Sequence, residues 1–241
     1  MINPVTELRS FVSAAFFEPV QREHIESTEA LVQRRWISSV TLAVGSFMLA
    51  FTLRLAPGDP AFYAATLALA AVWIVGGLIS GKIYLGNAHT RAGAESGRGV
   101  VQGVIIGCLL LAFFLAGATL VAPVAVLRDP LLGLLLRAHY GIAPLVAVLT
   151  ALIAIGEELF FRGALWAAVG GRQALLVTTL VYALTTIPSG VPLMVLAAAL
   201  VGLVAGVHRR VTGGVLGPII IHLIWSLGLF FLLPLVFGGW A

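Results

Sequence analysis

Long apolar runs, separated by short polar or Pro/Gly-rich breaks, set the pattern of this chain. The runs lie at 37–53, 61–81, 100–126, 142–168, 174–187, 191–207 and 213–236. A helix that crosses a bilayer needs about 20 predominantly apolar residues, fewer when other helices surround it. The pattern therefore predicts an all-α, polytopic transmembrane helical bundle of about seven spans. "LAPGDP" (55–60) breaks the first pair, because its prolines and glycine cannot continue a helix. "KIYLGNAHTRAGAESGRG" (82–99) reads as a soluble loop, and "RDPLLGLLLRAHYG" (128–141) as an interfacial helix between charged ends. "PSGVP" (188–192) divides a short fifth span from the sixth. Residues 1–36 are polar and mixed in charge, without the early apolar core of a signal peptide. They predict a cytosolic amphipathic arm, a solvated lead-in to one transmembrane domain over 37–241.

Composition agrees. Hydrophobic residues make up 60% of the chain and charged ones 10%, against about a quarter in soluble domains. The 14 Lys and Arg residues are scattered between apolar stretches, so the net charge of +4 is no nucleic-acid footprint. Cys108 is the sole cysteine, which excludes a disulfide within the chain and a Cys-ligated zinc site and leaves it a helix-packing role. With the N-terminus inside, cytosolic segments hold Arg9, Arg22, Arg34, Arg35, Lys82, Arg91, Arg98, Arg172, Arg209 and Arg210. The opposite side holds Arg54, Arg128 and Arg137, a bias that places the N-terminus in the cytosol and Trp240 on the far side. Gly99, Gly103 and Gly107, and likewise Gly202 and Gly206, recur every four residues and permit close helix approach.

One stretch contradicts a purely apolar reading. "GEELFFRG" (156–163) sets Glu157, Glu158 and Arg162 inside a span, where each charge costs about 2.5–3.5 kcal/mol on insertion scales. Glu158 and Arg162 are four apart, in the favourable order for an ion pair on one helix face. Glu157 points about 100° away, with Phe161 one turn below it. One carboxylate is thus neutralised while its neighbour can face a cavity as a general base on water. An ion pair serving packing alone would need only one glutamate. His222 lies mid-span in "GPIIIHLIWSLG", with Ser226 one turn on; paired with a glutamate it is a candidate metal ligand or proton carrier. His24, His89, His139 and His208 fall in loops or at span ends, where solvated roles suffice.

"EELFFRG" resembles the EExxxR motif of the CPBP family: the CAAX prenyl proteases of the Ras-converting-enzyme type and their bacterial relatives, which include bacteriocin-immunity proteins. The order of elements over roughly 100–236 is similar as well. A Phe-xxx-His motif should fall in "LVYALTTIPSG" and a His-xxx-Asn motif at His222. Here Tyr182 takes the aromatic place, Thr186 stands where the family has histidine, and Ser226 replaces asparagine. The resemblance implies an intramembrane endopeptidase of a bacterial plasma membrane that cleaves a peptide near the membrane surface. Glu157 activates water, and Glu158 and His222 complete the catalytic set. Arg162, Thr186 and Ser226 support them. Zinc wants at least three protein ligands, so replacing a histidine by Thr186 favours weak or absent metal, with Glu157 and His222 the ligands if there is one. Two alternatives stay open: a degenerate member acting as an immunity or binding protein, and a small proton-coupled transporter. The partners implied are a peptide or protein substrate and the lipid bilayer, with no nucleic acid.

Overall fold

The computed structural model describes residues 3–21, 26–56, 59–89, 99–139 and 142–238, with the side chains of 137–139 outside the description. Arg22, His24, Arg91, Arg98 and Trp240, which carried part of the topology expectation, lie outside the described residues, as do the side chains of Arg137 and His139. Helix α1 (Pro4–Phe16) precedes α2 (Thr28–Thr52), α3 (Ala61–Ile79), α4 (Val100–Val121) and the peripheral α5 (Ala125–His139). One long rod follows, made of α6 (Ala143–Glu157), a π-helical segment (Glu158–Leu165) and α7 (Trp166–Val169). After it come α8 (Ala174–Thr185), α9 (Pro192–Thr212) and α10 (Leu216–Val236).

Among the described residues six helices are long and apolar enough to cross a membrane: α2, α3, α4, the α6–α7 rod, α9 and α10. The fifth stretch is shorter than expected. Its helix has 12 residues, about 18 Å of rise against a hydrocarbon core of about 30 Å. Pro188 enters a 3₁₀ turn at Ile187–Ser189, and Gly190 closes it at φ 69°. Arg209, near the end of α9, meets the carbonyl of Arg162, near the end of the rod. The rod and α9 therefore run the same way, and α8 with its turn returns the chain between them.

The four-residue glycine spacings serve as read. A methyl at Gly103 or Gly107 would press on Ile220 or Ile224 of α10, and one at Gly206 on Leu175 of α8. The α4–α10 and α8–α9 pairs are accordingly two of the tightest in the bundle. Trp73 is fully buried and packs on Phe160 and Phe161, with ring centroids 4.8 and 5.2 Å away. These rings anchor the π segment to α3.

Three expectations about the periphery change. The N-terminal arm is not a solvated lead-in: α1 lies along α9, with Ala15 buried beside Ile106, Leu110, Val201 and Ile221. The reason is visible in the sequence of α1, where Phe11 and Ala15 share a face one turn apart. The loop after α3 is not simply soluble either. Val215 and Leu216 donate backbone N–H bonds to Tyr84 and Leu85, and Asn87 donates to Thr212. This seats Ala88 in the interior and brings Gly86, at φ 88°, against Gly214. Cys108 faces outward on α4 and packs in no core cluster among the described residues.

Candidate active site

The π segment decides the local geometry. In a π-helix the turn is widened to i→i+5 bonding, a form that recurs at functional sites. Here it starts at Glu158, so Glu157 is the last α-helical residue and Glu158 the first of the widened turn. Widening strands carbonyl groups, and Arg209 of α9 answers one of them: its Nε donates to the Arg162 carbonyl at 2.8 Å. The Arg209 guanidinium also stacks over Trp166 at 5.6 Å.

Within this turn Arg162 Nη1 donates to Glu158 Oε1 at 2.9 Å, the expected i,i+4 pair, with both side chains fully buried. The Arg162 guanidinium rests over the Tyr182 ring at 4.8 Å. Gly202 of α9 leaves room for it, since a Cβ there would come within 3.2 Å of Arg162 Nη2. Tyr182 in turn donates its hydroxyl to Glu157 Oε2 at 2.7 Å. The two adjacent carboxylates are thus held by different partners on different sides.

His222, arriving on α10, joins them. Its Nδ1 is 2.8 Å from Glu158 Oε1, and its Nε2 is 3.8 Å from Glu157 Oε2. An ionised carboxylate can only accept, so the short contact assigns the proton to Nδ1. The expected convergence of the EExxxR stretch and His222 is therefore present. Within it Glu158, rather than Glu157, is nearer His222. Arg162 and His222 reach the same oxygen of Glu158, because Tyr182 draws the Glu157 carboxylate toward α8.

Two supporting positions stand apart. The Thr186 hydroxyl donates to its own helix at the Ala183 carbonyl, 2.7 Å away, and no described contact joins it to Glu157 or His222. Ser226 Oγ lies 3.5 Å from the Leu223 carbonyl. Ser226 does share a cavity of about 160 Å³ with His222, lined otherwise by Phe62 and Thr66 of α3 and by α6. That space has room for several waters, each of which needs roughly 10–15 Å³.

The donor set does not fit zinc. Glu158 is engaged by Arg162 and by His222 Nδ1, which leaves only Glu157 and His222 Nε2 to share an ion. Thr186 supplies no third ligand, and no group of three or more His, Cys, Asp or Glu residues suits a metal among the described residues.

Sequence reasoning missed three buried polar residues. It gave Tyr182 a family position but no partner, and it placed Arg209 and His208 in solvated roles. His208 is fully buried, with Nδ1 3.4 Å from the Ala15 carbonyl, so it ties α1 to α9. Only the polar breaks around "HRRVTGG" could have hinted at them, and that pattern looks the same for a solvated helix end.

No curated protein and no solved structure gives a significant match to the chain. Residues 139–228, which carry Glu157, Glu158, Arg162, Tyr182 and His222, match the family model described as Rce1-like, type II CAAX prenyl endopeptidase. Over that segment, which folds the polar cluster into the centre of a helical bundle, the chain is similar to the type II CAAX prenyl endopeptidases.

Proposed function

We propose that the protein is an intramembrane endopeptidase in which Glu157 is the general base. The observation that carries this reading is the unequal treatment of the two glutamates. Glu158 is fully buried and bound on one oxygen by both Arg162 and His222. Glu157 keeps 7% exposure and has only Oε2 engaged, by Tyr182. A water beside the 3.8 Å gap between Glu157 and His222 Nε2 can donate to both acceptors, which positions and polarises it for attack on a peptide carbonyl.

In the first step Glu157 takes a proton from this water as its oxygen bonds to the carbonyl carbon. The carbonyl oxygen gains the negative charge. As the tetrahedral intermediate collapses, the proton passes from Glu157 to the departing amine. Glu158 fixes the imidazole through Nδ1, and Arg162 holds Glu158 in place, so neither needs to exchange protons. The cavity beside His222, between α3, α6 and α10, is the proposed approach for the substrate backbone.

A non-cleaving binding protein is the second reading, favoured by Thr186 turning onto its own helix. One assay separates the two: reconstituted protein is incubated with a prenylated CAAX peptide and with unmodified peptides, and cleavage is read by mass spectrometry. Wild type should cleave. Glu157→Gln should keep the wild-type melting midpoint and lose turnover by at least a hundredfold, the lower range for removal of a general base. Full proteolysis by Glu157→Gln of a substrate cut by wild type would refute the assignment of the base.

A further inference from the structure

A second cavity lies away from the carboxylates. It measures about 500 Å³ and sits where the first turns of α2, the chain after α3, the end of the α6–α7 rod and the end of α9 come together. Arg35, Lys82 and Arg209 line it, together with Trp166, Tyr84 and Glu26. Glu26 does not offset these cations, because Arg34 binds it through Nε at 2.9 Å and again through Nη2. Arg34 is itself buried, held also by Ser80 and the Lys82 carbonyl. With that pair neutral, Arg35 and Lys82 are the cations that the lining offers to an anion.

The cations are placed rather than merely present. Arg35 is oriented by its Nε bond to the Ala168 carbonyl at 3.0 Å. Lys82 Nζ lies 5.0 Å above the Tyr84 ring. Arg209 is nearly inaccessible from outside, fixed by Arg162 and Trp166. All four lining elements reach the cavity at helix ends, the level at which a span gives way to the headgroup region. Trp36, beside Arg35, is 70% exposed there, as an interfacial anchor would be.

We propose that this cavity binds a phosphate-bearing anion, the headgroup phosphate of an acidic phospholipid being the source its position favours. Lys82 and Arg35 receive the phosphate, and Gly170 and Gly171 leave the rim open to it. Arg209 is shared with the Arg162 carbonyl, so the headgroup sits one residue away from the turn that holds Glu158. The proposal does not rest on proteolysis.

Binding is tested on the full chain in neutral detergent, with short-chain phosphatidylglycerol, phosphatidylcholine and inorganic phosphate titrated separately and followed by native mass spectrometry and calorimetry. Phosphatidylglycerol should bind and phosphatidylcholine should not displace it. Each basic residue near an anionic lipid contributes about fivefold in affinity, so Lys82→Gln should weaken binding about fivefold and Arg35→Gln/Lys82→Gln about 25-fold. Lys82→Gln removes no described side-chain hydrogen bond and so decides the matter if the double variant melts early. Inorganic phosphate competing at equal concentration would support the anion site and assign it to a soluble source. Equal binding of both lipids, or phosphatidylglycerol binding unchanged in Lys82→Gln, would overturn the proposal.

Discussion

Arg162→Ala is the most informative change available in this bundle. It removes the donor of the single 2.9 Å bond to Glu158 and the cation over Tyr182, both in a fully buried setting. Breaking a buried ion pair from one side costs about 3–5 kcal/mol, because the other charge stays behind in low dielectric. For a chain of this size each kcal/mol moves the melting midpoint about 2–4 °C, so the variant should melt about 6–20 °C lower. Thermal unfolding in detergent, followed by circular dichroism, reads this directly. The pair is also incompletely satisfied: Glu158 Oε2 and Arg162 Nε and Nη2 have no hydrogen-bond partner among the described residues. A double variant, Glu158→Leu/Arg162→Met, should therefore recover part of the loss, since apolar groups of similar volume replace such pairs at little cost. It will not recover all of it, because His222 Nδ1 loses its acceptor. An Arg162→Ala midpoint within about 2 °C of wild type would refute the reasoning, because that corresponds to about 1 kcal/mol or less.

Tyr182→Phe deletes the 2.7 Å bond to Glu157 and should cost about 1.5–3 kcal/mol while slowing cleavage; unchanged turnover would mean that Tyr182 does not orient the base. Gly214→Ala should destabilise the fold, since its methyl would overlap the backbone of Leu85 and Gly86, whereas Gly117→Ala, with nothing within 4 Å, should leave the melting midpoint unchanged. Equal midpoints for those two variants would show that the crossing is loose. Metal analysis of purified protein should find less than one zinc per chain, and a chelator should leave cleavage intact. Stoichiometric zinc that disappears in His222→Ala would restore a metalloprotease reading.

Much of this was legible because lipid penalises polarity. Glu157, Glu158, Arg162 and His222 could not each stand alone in apolar spans, so their convergence followed from composition before any coordinates. The glycine spacings similarly announced which helix faces meet. The π segment was not legible: no residue in "ELFFRGAL" forbids an ordinary helix, and the choice is made by Trp73, Arg209 and Gly202, which are distant in sequence. Nor was it legible that Glu158 rather than Glu157 lies nearer His222, since Tyr182 on another helix draws Glu157 aside. Arg34, His208 and Arg209 were read as solvated because an index of loop charge does not distinguish an exposed arginine from one clamped between helix ends.

The i,i+4 geometry of Glu158 and Arg162 has a consequence for biosynthesis. The ribosome finishes the α6–α7 rod before it makes Tyr182, Arg209 or His222. During that interval the rod must enter the bilayer carrying two carboxylates and a guanidinium. An ion pair closed within one turn of the same helix travels with its span and lowers the cost of entry without help from later segments. A partner on α8 or α10 could not do so, however well it fits the finished bundle. The imidazole that joins the two carboxylates enters only later, with α10. Insertion and completion of the polar cluster are thereby separated in time by the order of residues along the chain.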